Sequence, residues 1–404
     1  MFSLFSKPSE ETAFIFDIGS GSVGGASVIF SRSGVPKIIC SVRENIPFRK
    51  NLDPGRFAER MLNTLELVSA RLQKEEPIRR NALRGKIKSP SRACIIFSSP
   101  WYFSKTESMS VKEKESFLVT IDLVSDMAKK EEEEFEAGIK SPDFGKFFGK
   151  DTVLLEKKII DIRLNGYPVS YPYGKTAKEI ESHFFISLAV GSILKKSKEI
   201  IFKRFHLRKI DAHSFSLASF VAIRDLFPES SDFLFLDISG EITEISVIKK
   251  GTLLETVSFP LGKNFLIRKM AESLGDEKGS LSESALSLYF GRRGSKDFME
   301  KTGKVLKEAE EDWLSLFYDT ISGFSGESFV PTLAYLVADE DAEKIFAEFL
   351  EHADLSRFSL VSGSFKVSLL DKEKLKKSCV FPDGMETDPF ISLISVFGNR
   401  IFQD

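Results

Sequence analysis

The chain has 404 residues, of which 42% are hydrophobic and 29% charged, so it can bury a sizeable core and divide into two or more domains. Its 57 basic and 59 acidic residues leave a formal charge of -2, which provides no broad field that would attract nucleic acid or an anionic membrane. The three cysteines are isolated in sequence, which argues against a disulfide framework or a CxxC metal site and favours a reduced cytoplasmic protein.

Membrane and export signals are weak in this sequence. Residues 1–9 lack the basic start and long apolar core of a secretory signal. No apolar run reaches the roughly 20 residues that a spanning helix requires. We therefore expect a cytoplasmic protein that contacts the inner face of the cytoplasmic membrane only peripherally or through a partner.

The N-terminal part has the pattern of three antiparallel strands followed by a helix. The apolar runs 14–16, 26–30 and 38–42 are separated by a glycine-rich turn and by a second turn at 33–34. Residues 57–72 then carry apolar side chains at helical spacing, which predicts a helix packed on the sheet.

A small inserted α+β unit is predicted next, after a polar and basic stretch that indicates a domain boundary near residue 90. Its strand candidates are 93–97, 108–111, 159–164 and 184–188, and its helix lies around 118–134. Two further helices are predicted at 192–205 and 215–226. The first of these is basic, but no nucleic-acid-binding motif accompanies it, so we expect no nucleic-acid partner.

A second copy of the opening pattern follows these helices. Residues 233–236 form an apolar strand that runs into Asp237, a small-residue turn and two more strands. The order is the same as after the strand 14–16, which runs into Asp17 and a glycine-rich turn. A repeat so far apart in the chain predicts two related lobes that face each other across a cleft.

The residue types in these turns suit phosphate and magnesium. Glycine and serine at a tight strand-to-strand turn leave backbone N–H groups open to a phosphate. An acidic residue at the end of each buried strand can hold Mg²⁺, so Asp17 and Asp237 are the candidate metal ligands. The candidate phosphate-binding residues are Gly19, Ser20, Gly21 and Ser22 in the first turn and Ser239 and Gly240 in the second. Neither turn is a Walker loop, because a strand and no Gly-Lys-Ser/Thr follows.

These motifs resemble those of the bacterial actin-like ATPases of the FtsA/PilM family, and the resemblance spans nearly the whole chain. The second motif in that family usually reads Asp-Ile-Gly-Gly-Gly-Thr-Thr-Asp, and this chain keeps Asp237, Gly240 and Thr243. The stretch 259–264 resembles the family's turn into a helix, which adds Gly262 to the nucleotide-binding residues. The resemblance implies an α/β, two-lobed actin-like ATPase (ribonuclease H-like) fold with a small inserted α+β subdomain, and it implies ATP and Mg²⁺ as cofactors.

The family's nucleoside motif is not kept. A strand followed by three glycines is usual there, whereas here the strand 334–337 is followed by Ala338-Asp339-Glu340-Asp341. Acidic side chains do not allow the close approach that glycine allows. Residues 361–364 are an alternative glycine-containing segment. The resemblance with these changes implies weakened nucleotide binding and at most a slow ATPase.

The predicted organisation has five segments. They are 1–89 and 187–228 for the first lobe, 90–186 for the inserted subdomain, 229–372 for the second lobe and 373–404 for a C-terminal closing segment.

The family resemblance leaves two scaffold roles open. An FtsA-like cell-division scaffold would bind a tubulin-like division protein and self-associate into dimers or filaments. A PilM-like type IV pilus scaffold would bind the N-terminal peptide of a bitopic pilus protein. We rank the division role slightly ahead. A small-molecule kinase on the same fold is a lesser alternative with Asp211, His213 and Asp232 as candidate bases, although a histidine in that context is more often a packed residue.

Overall fold

The computed structural model describes most of the chain. The described residues are 10–32, 34–83, 87–139, 151–276, 279–324, 329–356, 358 and 363–402. The strands are β1 Glu11–Ile18, β2 Ser22–Phe30, β3 Lys37–Asn45, β4 Arg92–Phe97, β5 Tyr102–Leu118, β6 Thr152–Leu164, β7 Tyr167–Pro168, β8 Thr176–Val190, β9 Ile210–Ser214, β10 Phe233–Ile238, β11 Thr243–Lys249, β12 Thr252–Phe259, β13 Leu333–Ala338 and β14 Lys366–Leu369. The helices are α1 Pro54–Ala82, α2 Ile121–Ile139, α3 Gly191–Phe205, α4 Phe215–Leu226, α5 Lys263–Leu274, α6 Ser280–Phe290, α7 Lys296–Ser322, α8 Glu343–His352, α9 Lys372–Leu375 and α10 Pro389–Ile401.

The two five-stranded sheets have the same topology. Their strand orders are β3-β2-β1-β4-β9 and β12-β11-β10-β13-β14. In each sheet the first three strands along the chain pair antiparallel, and the remaining two extend the sheet in parallel. This confirms the predicted pair of related lobes, each starting with its own hairpin and turn.

The core is layered because side chains alternate across each strand. On β1, Ala13 and Ile15 pack with α4, α10 and residues of the second sheet. Phe14 and Phe16 point to the opposite face and pack with α1 and α3. The second sheet buries its other face against α5, α7 and α8. Helices α4 and α10 therefore lie between the two sheets and join the lobes in one core.

Helix α10 begins at a strong start signal. Asp388 is the N-cap and its carboxylate accepts a hydrogen bond from the backbone N–H of Ile391 at 3.0 Å, and Pro389 occupies the first turn. All residues from Phe390 to Gly398 are buried. Burial on all sides is what a helix between two sheets requires. The capping Asp388 is thereby held at the edge of the cleft.

The inserted unit is an antiparallel sheet of order β5-β8-β6-β7 with α2 packed on it. The prediction that strand 93–97 belongs to this unit was wrong. These residues form β4, which lies between β1 and β9 in the first sheet. Its residues from Ala93 to Phe97 are all buried, as in a central parallel strand covered on both faces. The first sheet therefore continues beyond the domain boundary that was predicted near residue 90.

The predicted helices 192–205 and 215–226 match α3 and α4 to within one residue, whereas the predicted helix 57–72 covers only part of α1, which continues to Ala82, and the one around 118–134 is displaced by a few residues from α2. Among the helices that the structure describes, none is both long enough and apolar enough to cross a bilayer.

Candidate functional site

The two predicted turns have the same local geometry. In the first, the N–H of Gly19 donates to the carbonyl of Ser22 at 3.1 Å. In the second, the N–H of Ser239 donates to the carbonyl of Ile242, also at 3.1 Å. Each bond closes the tight reversal between an apolar strand and its antiparallel partner, so each turn presents its glycine at the tip.

The tertiary structure packs these turns directly against each other. The hydroxyl oxygens of Ser20 and Ser239 lie 2.7 Å apart, and the N–H of Glu241 donates to the Ser20 hydroxyl at 2.9 Å. A Cβ atom added to Gly21 would lie 2.8 Å from both Cα and N of Gly240. A phosphate held by N–H groups of both turns would need a hydrogen bond of about 2.9 Å on each side. The observed contact leaves no room for it.

Asp17 at the end of β1 already has a cationic partner. Its Oδ2 accepts a hydrogen bond from Arg43 at 2.8 Å, and the same guanidinium binds the carboxylate of Asp388 at 2.7 and 3.1 Å. The hydroxyl of Ser22 accepts a fourth bond from Arg43 at 2.8 Å. Arg43 lies opposite Gly24 in the β2–β3 pair, and a Cβ at Gly24 would collide with the guanidinium. Glycine at that position therefore makes the ion pair possible.

Burial raises the pKa of Asp17 to about 6, although Arg43 acts in the opposite direction. Its Oδ1 is buried and has no hydrogen-bond partner among the described residues. One oxygen of this carboxylate is thus hydrogen-bonded to Arg43, while the other is buried without a hydrogen-bond partner among the described residues.

Asp237 and Glu244 are paired across β10 and β11 and are both buried. Burial raises the pKa of Asp237 well above its ordinary value, and the carboxylates of Glu244 and Asp17 add to the effect. Glu244 accepts hydrogen bonds at 2.5 Å from the hydroxyls of Ser99, which follows β4 of the first lobe, and Tyr102, at the start of β5 in the inserted unit. These bonds lower the pKa of Glu244, but burial outweighs them and raises it to about 7. Glu244 is therefore a buried link between the lobes.

The segment after β13 brings a further carboxylate to the turns. Asp339 Oδ2 would lie 3.5 Å from a Cβ at Gly21, and it lies 3.6 Å from the ammonium of Lys263 at the start of α5. Lys263 also binds Asp341 at 2.7 Å. Acidic side chains thus stand where the family resemblance implies glycines, and they are charge-paired within the second lobe. Of the alternative segment, residues 361 and 362 lie outside the described residues.

Three other residues near the second turn serve the fold. The hydroxyl of Thr243 donates to the carbonyl of Leu261 at 2.6 Å and accepts the indole N–H of Trp313 at 3.1 Å. A Cβ at Gly262 would lie 2.7 Å from the carbonyl oxygen of Gly240, so glycine is needed for close packing there. Glu241 is buried against α5, where Asn264 and Arg268 bind its carboxylate.

The candidate bases of the kinase alternative are engaged elsewhere. His213 lies on β9, an edge strand of the first sheet, where its Nδ1 is 2.7 Å from the buried carboxylate of Glu156. Asp211 on the same strand pairs with Arg92 at 2.7 Å. Asp232 accepts the backbone N–H of Lys250 at 3.1 Å. These contacts are structural, and they join none of the three residues to the glycine turns.

Mg·ATP does not fit this arrangement. The unpartnered buried oxygens of Asp17 and Asp237 have the donor chemistry that Mg²⁺ prefers. The contact between the turns, however, leaves no position for the phosphates that would share the ion. Across the described ranges, no group of three or more His, Cys, Asp or Glu side chains could hold a metal ion.

The most important residues that the sequence did not single out are Arg43, Lys263 and Tyr102. Each is separated from its partner by a long stretch of chain. A weak signal existed for Arg43, since it directly follows the apolar and small residues 38–42 of the same strand. No local pattern marks Tyr102 or Lys263.

A second feature of the surface is a groove of about 890 Å³ where the inserted unit meets the first lobe. Its walls are the start of β6, α3 and the segment 207–210. Leu154 and Phe202 line it with 48% and 49% of their surfaces exposed. Side chains of both charges border it, and the basic ones are Lys195, Lys198 and Arg208. Exposed apolar side chains of this size in a concave surface are typical of protein-binding sites.

Comparison with known proteins defines the fold. No family model matches the chain, and no curated protein matches it. A solved PilM-PilN type IV pilus biogenesis complex covers 97% of this chain and 98% of its own, with a TM-score of 0.58 and 13% identity. Ethanolamine utilization protein EutJ from Carboxydothermus hydrogenoformans covers 97% of this chain and 91% of its own, with a TM-score of 0.42 and 13% identity. A Bacteroides thetaiotaomicron protein with an actin-like ATPase fold and unknown function covers 96% of each chain, with a TM-score of 0.40 and 9% identity. The chain has the two-lobed actin-like ATPase fold, as predicted.

Proposed function

We propose that this chain is a protein-binding scaffold with an actin-like fold, and that the cleft between its lobes is a fixed contact with no ATP turnover. The observation that carries the proposal is the packing of Gly21 against Gly240, reinforced by the bond between Ser20 and Ser239. Arg43 neutralises Asp17 in the place where the resemblance implies a metal ion. A scaffold needs lobes held in a constant arrangement, and these contacts provide one.

Calorimetric titration with ATP, with and without magnesium, tests the first part. We expect neither free ATP nor Mg·ATP to bind at concentrations up to about 1 mM, which is the dissociation constant of a weak ligand. Micromolar, magnesium-dependent binding that Asp17→Ala removes would refute the proposal and restore the nucleotide-dependent scaffold.

The groove between β6 and α3 is the surface that best fits a protein partner. Leu154 and Phe202 offer apolar contacts, and the three basic side chains that border them outnumber the two acidic ones, Asp151 and Glu199. An extended segment with apolar side chains and an acidic flank is complementary to this surface. Burying exposed apolar area stabilises such a complex by roughly 25 cal/mol per Å² before the entropic cost of binding.

The pilus role is the better supported of the two scaffold roles. Its support is the likeness to the PilM-PilN complex over nearly the full length of both chains, including the inserted unit. The division role is supported by sequence motifs alone. We therefore propose a bitopic pilus protein as the partner, bound through its N-terminal peptide.

Fluorescence anisotropy with that labelled peptide, beside co-sedimentation with the tubulin-like division protein, distinguishes the roles. Leu154→Glu and Phe202→Glu place a charge in the groove, and we expect each to weaken peptide binding by about 2 kcal/mol or more, as at interface hot spots. Leu281→Glu is the matched control, because Leu281 is 65% exposed on α6 in the second lobe. Capture of the division protein alone would reject the pilus role, and peptide binding unchanged in both groove variants would reject the groove as the binding site.

A further inference from the structure

The loop between β3 and α1, residues 46–53, is attached to the first lobe at both ends. The N–H of Ile46 donates to the carbonyl of Gly21 in the first turn at 2.8 Å. Asp53 is the N-cap of α1, and its carboxylate accepts a hydrogen bond from the main chain of that helix. Phe48, in the middle of the loop, instead packs against the hydrophobic core of the second lobe. The loop therefore crosses from the first lobe to the second and returns.

The ring of Phe48 lies against α5 and the N-cap of α6. That N-cap is Gly279, and a Cβ atom added to it would lie 2.5 Å from Cδ1 and 2.7 Å from Cε1 of Phe48. The same Cβ would lie 3.2 Å from Cγ2 of Ile267 on α5. The ring thus occupies the space that a side chain at position 279 would need. Glycine at that position makes this contact between the lobes possible.

The contact of Phe48 lies close to the packed turns. Helix α5 starts against the second turn, because the N–H of Asn264 donates to the carbonyl of Gly240 at 2.7 Å. Ile267 follows Asn264 by about one helical turn. The loop thus starts at the first turn and reaches the helix that starts at the second, so it spans the place where the lobes meet.

We propose that residues 46–53 form a strap across the cleft, and that Phe48 keeps the two turns in contact by anchoring this strap to the second lobe. This inference rests on the proposed function, in which the turns form a fixed contact, and it assigns the element that keeps them closed. Each hydrogen bond between the turns makes only a modest net contribution. An aromatic ring packed on the core of the other lobe adds the burial of its apolar area, which those bonds do not replace. Removal of the ring therefore lets the lobes part at the turns.

Two amides of the second turn distinguish parting of the lobes from a general loss of stability. The N–H of Glu241 donates to the hydroxyl of Ser20, which belongs to the other lobe. The N–H of Ser239 donates to the carbonyl of Ile242 within its own turn. Parting of the lobes releases the Glu241 amide and leaves the Ser239 amide bonded, so hydrogen exchange of the two amides reports the difference.

In Phe48→Ala we expect the Glu241 amide to exchange at least about tenfold faster than in the wild type, and the Ser239 amide to change by less than about twofold. Leu52→Ala is the matched control, because Leu52 lies in the same loop with 42% of its surface exposed, and we expect it to change neither amide. Equal acceleration of both amides, or the same acceleration in the control, would overturn the inference. An unchanged Glu241 amide would overturn it too, but it would leave the proposed function intact, since the ATP titration decides that.

Two glycine substitutions test the same contact from the second lobe. Gly279 and Gly275 have φ values of +79° and +66°, so alanine strains the main chain at either position. A Cβ at Gly275 meets nothing within 4 Å, whereas one at Gly279 displaces the Phe48 ring. We expect only Gly279→Ala to accelerate exchange at Glu241, and we expect it to add nothing in the Phe48→Ala background. Equal effects of the two glycine variants, no effect of Gly279→Ala, or a further effect of it without the ring would contradict the strap.

Discussion

Ser20 and Ser239 share a buried hydrogen bond of 2.7 Å although 219 positions separate them in the chain. Each serine belongs to the first turn of its own lobe, so this bond joins the lobes where the two repeated hairpins meet. A net contribution of about 0.5–1.5 kcal/mol is typical of such a bond. The contact between Gly21 and Gly240 beside it depends on main-chain packing and is less tolerant of change.

Gly240→Ala is expected to lower the free energy of unfolding by about 1–3 kcal/mol, as overpacking does in a close-packed interior. The added methyl group would meet main-chain atoms of Gly21, which cannot rotate away as a side chain could. Urea denaturation measures the effect. Gly34→Ala is the control, because a Cβ there meets nothing within 4 Å, and a change within about 0.5 kcal/mol is expected. Equal losses in both variants would contradict the turn-to-turn contact.

Arg43→Met is expected to lower the free energy of unfolding by about 3–5 kcal/mol, because it leaves the buried carboxylate of Asp17 and the partly buried one of Asp388 without their cation. Chemical denaturation again provides the measurement. Arg71→Met removes a guanidinium that is 49% exposed and pairs with Glu44, so a loss of about 0–1 kcal/mol is expected there. A loss of similar size in the two variants would argue against the buried network.

The stability of the protein is expected to fall as pH rises from about 4 to about 7. The pKa of Asp17 is raised to about 6 and that of Glu244 to about 7, so the folded state binds more protons than the unfolded state in this window. The stabilisation is complete below the unfolded pKa values and is lost as pH passes the folded ones. The effect of Asp17 alone is on the order of 3 kcal/mol.

Urea unfolding at a series of pH values measures this dependence, and Asp17→Asn should make it shallower because that group no longer titrates. Stability that instead rises steadily over the same range would show that these carboxyl groups are not buried as described.

Tyr102 at the start of the inserted unit and Glu244 of the second lobe are expected to be energetically coupled. Tyr102→Phe removes a hydrogen bond to a carboxylate and should cost about 1.5–3 kcal/mol of stability, less if Glu244 is first changed to Gln. A double-mutant cycle gives the coupling energy, expected to exceed about 0.5 kcal/mol. Tyr167→Phe is the control, since that ring is exposed on the inserted unit. Additive losses would show that the two side chains do not interact.

Local sequence patterns determined much of the fold. Apolar alternation and turn residues predicted both opening hairpins and their repetition, because these depend on neighbouring residues and on side-chain period. Helical spacing likewise predicted α3 and α4 closely. The strand 93–97 was recognised from its apolar run, but its sheet was not, because a buried parallel strand looks the same in any sheet that covers both of its faces.

Only the tertiary structure decided how the candidate site is filled. The sequence placed Asp17 and Asp237 at the ends of two matching strands, but the distance between the turns depends on how α4 and α10 pack between the sheets. Arg43 neutralises Asp17 and is itself bound by Asp388 from the far end of the chain, and beside the second turn Lys263 pairs with Asp339. Pairings between remote residues follow from the packing of whole elements, and a local pattern contains no information about them.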